Sequence, residues 1–149
     1  MTKPFLIDSN ILIYALNKSS PYHEEAKQVI DAILKDAIKG YLTPQVLFEL
    51  FAVITDSKKF PAPLTPASAY PLIETNYLND KFPLIHPKET TWRKSFDLAK
   101  QYQISSQDIF DVTLVATMVD NDIFCIVTYD RTNFQKFSFL EVIHPSKIS

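Results

Sequence analysis

Short apolar runs alternate along the chain with longer segments of helical periodicity. Phe5-Leu6-Ile7 is the first run, and Asp8-Ser9-Asn10 separates it from the apolar stretch Ile11 to Leu16, a pattern that predicts strand, turn and buried helix. From His23 to Lys39 the apolar positions Ala26, Val29, Ile30, Ile33, Leu34, Ala37 and Ile38 recur at helical spacing among charged residues. An amphipathic helix is expected there, stopped by Gly40. Tyr41-Leu42-Thr43 reads as a second strand, and Pro44 opens a nearly all-apolar helix from Gln45 to Thr55.

The Pro-rich stretch Asp56 to Pro66 reads as a surface connection, and Thr65-Pro66 starts a helix running to about Tyr77. A strand at Leu84-Ile85-His86, a helix from Glu89 to Tyr102 and a helix from Asp108 to Val119 follow, the last capped by Ser105 or Ser106. Phe124 to Thr128 is the clearest strand, and Leu140 to Ile143 is the last, with Phe134, Phe137 and Phe139 supplying apolar contacts before it. Strands that alternate with helices predict an α/β fold, with a central, mostly parallel sheet of about four to five short strands covered on both faces. No repeat or compositional break divides the chain, so residues 1–149 are expected to form a single domain.

Composition narrows the function classes. A net charge of −2 argues against gripping nucleic acid through a basic surface alone, although bound cations can set a local field that attracts phosphates. The single glycine removes the P-loop and the dinucleotide fingerprint, both of which need glycines where backbone meets phosphate. Cys125, the only cysteine, lies in the apolar run Ile123 to Val127 and is expected to be a buried structural thiol. No apolar run approaches the roughly 18 residues of a membrane span, and the N-terminus lacks a secretory pattern, so a soluble cytoplasmic protein is expected.

Four acids stand out against this apolar background. Asp8, Glu49, Asp111 and Asp130 each lie inside or directly beside a strongly apolar segment, where an ionised carboxylate is disfavoured unless it is paired, hydrogen-bonded or metal-bound. Asp8 and Asp130 follow strands, and ligand sites of parallel sheets form outside the strands' C-terminal ends. Each also has an ordinary reading as a helix cap or turn residue. Glu49 has apolar neighbours at Val46, Ala52 and Val53, and its ordinary reading is a partly solvated stripe shared with Gln45. Asp111 has Leu114 and Val115 on its side of the helix, and Asp108 precedes it by one turn. Helix-dipole and capping preferences account well for Asp108 and less well for Asp111.

Carboxylates without clustered His or Cys suit hard cations, Mg2+ or Mn2+. His23, His86 and His144 have no metal-binding spacing and are expected at surfaces or strand ends. Acidic sites holding such ions serve phosphoryl chemistry, so phosphodiester hydrolysis is the leading reaction class.

The segments FLIDSNILIYAL, VLFELFAVI, DIFDVTLVATM and IVTYDRTNF, in this order and at this spacing, resemble a PIN domain nuclease, and more narrowly the VapC-like toxins of toxin–antitoxin pairs. The resemblance spans nearly the whole chain. It implies a three-layer α/β/α fold and a Mg2+- or Mn2+-dependent endoribonuclease acting on single-stranded or loop RNA. It also implies inhibition by a cognate antitoxin, and commonly a homodimer. Carried across, Asp8, Glu49 and Asp111 match the core metal ligands and Asp130 the fourth acid. Asn10 and Thr128 match supporting polar positions, and Asn133 is suited to holding the turn after Asp130. Many relatives have a small residue after the third acid where this chain has Val112, which leaves open whether Asp108 or Asp111 faces the metal.

Arg131, beside Asp130, is the favoured RNA contact, whereas Lys58, Lys59, Arg93 and Lys94 read as scattered surface charge, and Trp92 and Phe96 as core. Two other functions remain to be weighed. A catalytically silent RNA- or protein-binding module would keep the fold without turnover, and the presence of all four acids weighs against it. A phosphatase or phosphoacceptor using Asp8 as nucleophile would want a second acid where Asn10 stands.

Overall fold

A computed structural model describes residues 3–148; residues 1, 2 and 149 of the expected single unit lie outside the described residues. The first strand, β1 (Phe5–Ile7), is fully buried and leads into α1 (Ser9–Leu16), which is followed by α2 (His23–Leu34) and β2 (Gly40–Tyr41). Then come α3 (Pro44–Ile54), α4 (Pro66–Tyr77), α5 (Thr91–Tyr102) and α6 (Ile109–Asp120). The chain ends with β3 (Cys125–Val127), the single turn α7 (Arg131–Phe134) and β4 (Glu141–Ile143). The strand order is β2-β1-β3-β4 and every pairing is parallel. Among the helices, α1 packs on α2 and α3, and α5 packs on α6. Together these elements give a three-layer α/β/α arrangement whose core includes Leu6, Ile7, Leu50, Val115 and Ile126.

The sheet's fifth member is vestigial. Leu84, expected to begin a strand, makes one parallel bridge with Leu42, supported by Leu42 N–H donating to the Pro83 carbonyl (3.1 Å) and Ile85 N–H to the Leu42 carbonyl (2.9 Å). Pro83 and Pro87 flank it, and proline cannot donate to a ladder, so pairing stops after one residue.

Several boundaries differ from expectation. The helix from His23 ends at Leu34 instead of Lys39, because Asp36 turns to a positive φ of 59° and the Ala37 N–H bonds back to the Ala32 carbonyl. Gly40 is therefore no helix stop. It is the buried first residue of β2, where an added Cβ would lie 2.6 Å from Ile7 Cδ1 and 2.8 Å from Ile33 Cδ1, so the position is glycine for lack of room. The helix expected from Glu89 begins at Thr91. The helix expected from Asp108 begins at Ile109 after a 3-10 turn at Ser106–Asp108, and neither Ser105 nor Asp108 caps through its side chain. Trp92 and Phe96 are not core: they are 57% and 63% exposed and pack edge-to-face on each other at 6.5 Å on the outer face of α5. Phe134 and Phe137 are buried as expected, while Phe139 is partly exposed.

Candidate active site

The register of β1 with β3 builds the site's centre. Leu6 pairs with Ile126 and Ile7 with Val127, and the Asp8 N–H continues the ladder to the Val127 carbonyl at 3.1 Å. Asp8 and Thr128 thus leave adjacent strands side by side. Asp8 caps α1: one carboxylate oxygen accepts from the Ser9 N–H at 2.7 Å, and the other accepts from Thr128 Oγ1 at 2.7 Å. The Thr128 hydroxyl in turn accepts from the Asp130 N–H (2.9 Å) and from Asn10 Nδ2 (3.2 Å), using its one donor and both acceptor positions. Asn10 Nδ2 also reaches Asp8 Oδ2 at 3.4 Å, and Asn10 Oδ1 accepts from the Tyr129 N–H at 3.3 Å. Asn133 Nδ2 donates to Asp130 Oδ2 at 2.7 Å, holding the exposed Asp130 across the single turn of α7.

Two helices bring the other acids. The Thr43 hydroxyl caps α3 by accepting from the Val46 N–H at 3.1 Å, with Pro44 at the first helical position. That start sets Glu49 half-buried in the middle of α3, between the buried Val46 and Leu50. Gln45 Nε2 donates to the Phe110 carbonyl at 2.9 Å and so links α3 to the start of α6. Asp111 sits half-buried in the first turn of α6, ahead of the buried Leu114 and Val115.

Electrostatics register the convergence. Burial pushes the carboxyl of Asp8 above its ordinary range, against the hydrogen bonds from Thr128 and Ser9, and the negative charge of Asp130 adds to the rise. Glu49 is likewise raised, first by burial and then by the charge of Asp8, with a smaller contribution from Asp111; the Gln45 amide and the Ser9 hydroxyl favour its charged form. Asp111 is raised to about 6 by burial and by the charges of Asp8, Asp130 and Asp108, partly offset by Lys136. Among the described residues none of the four acids has a Lys or Arg ion-pair partner. The structure therefore gathers four mutually repelling carboxylates with no protein cation paired to them.

Asp108 is exposed and is felt by Asp111 alone of the shifted acids, so Asp111 is the one that faces the cluster. Arg131 lines a cleft along β4, where the Gln135 amide, oriented with its oxygen towards the guanidinium, accepts from its Nε (3.3 Å) and Nη2 (3.1 Å). On α5, Arg93 stacks over Trp92 at 5.1 Å, and Lys94 pairs with Asp120 at 3.5 Å. Lys58 and Lys59 are exposed in the turn after α3. Sequence reasoning missed Ser9, Gln45 and Lys136. Ser9 was legible as the residue after a capping Asp, whereas Lys136 carried no local signal because it meets Asp111 only through the fold.

The donor set fits a hard divalent cation. Every candidate ligand is a carboxylate oxygen, and Asp8 keeps a lone pair beyond the three hydrogen bonds it accepts from Ser9, Thr128 and Asn10. Among the described residues no three His, Cys, Asp or Glu side chains are drawn close enough to close on an ion by themselves.

An α/β/α protein with an acidic cluster at the carboxyl ends of its central parallel strands is the class that fold and site define. More narrowly, the chain belongs to the PIN domain family, whose model matches residues 5–140. It is 26% identical over 138 residues to the ribonuclease VapC48 of Mycobacterium tuberculosis, covering 93% of this chain and 94% of that protein. Its fold resembles the crystal structure of VapC20 from the same species, described as a sarcin-ricin loop cleaving toxin, with a TM-score of 0.65, 14% identity and coverage of 89% and 95% of the two chains. It also resembles a toxin-antitoxin complex from Klebsiella pneumoniae, with a TM-score of 0.61, 19% identity and coverage of 95% and 97%. No helix among the described residues is long and apolar enough to cross a membrane.

Proposed function

We propose that this protein is a divalent-cation-dependent endoribonuclease, the toxin of a toxin–antitoxin pair, with Asp8, Glu49, Asp111 and Asp130 as the residues that hold Mg2+ or Mn2+. The observation that carries this reading is the convergence of these four acids, from four separate regions of the chain, with no Lys or Arg ion-paired to any of them among the described residues. Burial, and after it the charges of neighbouring carboxylates, raises the proton affinity of Asp8, Glu49 and Asp111, and an oxygen-coordinated cation is the partner that relieves it. The likeness to VapC48 and VapC20 supports RNA as the substrate. An RNA substrate supports work in the cytoplasm as part of the same reading. The complex from K. pneumoniae supports a cognate antitoxin as partner, and the reading carries a homodimer with it.

The reaction adds the oxygen of water to phosphorus, breaks one phosphodiester P–O bond, and delivers a proton to the departing ribose oxygen. A divalent ion at this site would lower the pKa of a water and neutralise charge on the in-line transition state. The chain's own residues supply the frame. Thr128 and Ser9 fix Asp8, Asn10 ties Asp8 to the β3 end, and Asn133 fixes Asp130, so the carboxylates are oriented before substrate arrives.

The test is incubation of purified protein with a pool of structured cellular RNA, with Mg2+, with Mn2+ and with chelator, beside Asp8→Asn. Cation-dependent cuts missing from the variant are expected. A folded, inhibitor-free protein that cuts under no condition would turn the reading to a binding module.

A further inference from the structure

β4 is an edge strand of the sheet, beside β3, whose end carries Thr128 and Asp130. Among the described residues β4 pairs with β3 alone, so its outward backbone groups, those of Val142, are unpartnered within the sheet. Alongside it runs a cleft of about 490 Å3, within the ~300–1,000 Å3 typical of ligand sites. Lys3, Arg131, His144 and Lys147 line it over the strand residues Val142 and Ile143. The one acid in the lining, Glu141, is tied to Lys3 at 3.3 Å. In a chain of net charge −2, three of the 15 Lys and Arg and one of the three His thus face one groove.

We propose that this cleft holds the sugar-phosphate backbone of the RNA strand as it runs on from the cleaved bond. The proposal rests on the ribonuclease reading and names the side on which substrate continues past the acids. Arg131 directly follows Asp130 in the chain, so the first cation of the cleft adjoins the acidic cluster. With the Gln135 oxygen oriented towards it, the guanidinium is held through Nε and Nη2, which leaves the Nη1 N–H groups for a phosphate. His144 Nδ1 accepts from the Ser146 N–H at 3.1 Å, so Nε2 carries the ring's N–H and is a donor even in the neutral form. Lys147, one turn further on, adds a flexible point charge, and the outward N–H of Val142 adds one fixed donor of the kind that binds phosphate oxygens. Such contacts position a strand without reading its bases, so this grip is independent of sequence.

Fluorescence anisotropy of a labelled single-stranded RNA, in chelator so that nothing is cut, tests the assignment. Arg131→Ala and Lys147→Ala should each weaken binding and flatten the plot of log affinity against log salt by about 0.7, the double variant by about twice that. Arg131→Lys should recover most of the slope, since charge and not fold is what is lost. Lys58→Ala with Lys59→Ala, on the connection outside the cleft, should leave both affinity and slope unchanged. No RNA binding by the unaltered protein, binding that the cleft variants leave intact, or an equal loss in the Lys58 and Lys59 control would overturn the proposal. Cleavage with Mg2+ or Mn2+ is scored separately. Cleft-dependent binding without cleavage sinks the nuclease reading alone, and cleavage with cleft-independent binding sinks this proposal alone.

Discussion

Thr128 Oγ1 donates a 2.7 Å hydrogen bond to Asp8 Oδ2 across 120 positions of sequence, and the same hydroxyl accepts from the backbone N–H of Asp130 at 2.9 Å. One fully buried side chain therefore couples two of the four acids, from the ends of the two central strands.

Thr128→Val keeps the shape and removes the hydrogen bonds. Asp8 then loses its strongest stabilising partner while remaining buried, at a cost of about 1–3 kcal/mol. Denaturant unfolding should show that loss, and cleavage should fall with it. Thr128→Ser should retain most of both. Equal stability of Thr128→Val and the unaltered protein would show that the hydroxyl carries no such energy.

Asp8→Asn and Asp111→Asn should lower cleavage by at least about a hundredfold, the scale of losing one preorganised electrostatic group. In the cation-free state both should melt at the same or a higher temperature, because like-charge crowding is relieved. Asn at position 8 is also as good a helix cap as Asp. Loss of fold in both variants would count against a cation site.

Asp111 sets a pH dependence. Its carboxyl rises from 3.8 to about 6 on folding, so between those values the native state binds more protons than the unfolded one. Stability contributed by this group is present at low pH and is lost as pH climbs towards and past about 6. In chelator, thermal melts of the unaltered protein from pH 4.5 to 7.5 should therefore lose stability relative to Asp111→Asn as pH rises. Added Mg2+ or Mn2+ at pH 7.5 should restore it in the unaltered protein only. An unchanged difference between the two across that range would refute the shift.

Gly40→Ala forces a methyl group to within 2.6 Å of Ile7 Cδ1 and 2.8 Å of Ile33 Cδ1, where β2 meets β1 and α2. Overpacking of this kind costs about 1–3 kcal/mol. A lower melting temperature is the expected result, since the added methyl falls among the buried side chains of Ile7 and Ile33.

The linear pattern of residues was enough to define most of the architecture, because helix and strand periodicities are local properties of the backbone. It also marked Asp8, Glu49, Asp111 and Asp130, because a carboxylate within apolar sequence conflicts with its surroundings wherever the chain goes. Local pattern failed where a neighbour distant in sequence decides. Trp92 and Phe96 share a helical face that reads as core, yet nothing in the described structure covers them, and whether a face is covered is a property of the packed molecule. Gly40 read as a helix stop, and only the approach of Ile7 and Ile33 reveals its packing role. The choice of Asp111 over Asp108 followed from which carboxylate the fold aims at Asp8 and Asp130. So did the placing of Arg131 in the β4 cleft beside Lys3, His144 and Lys147. Sequence determined which groups conflict with their local surroundings and which segments are regular; the tertiary structure decided which of those groups meet, because Coulomb and hydrogen-bond energies depend on separation in space and not along the chain.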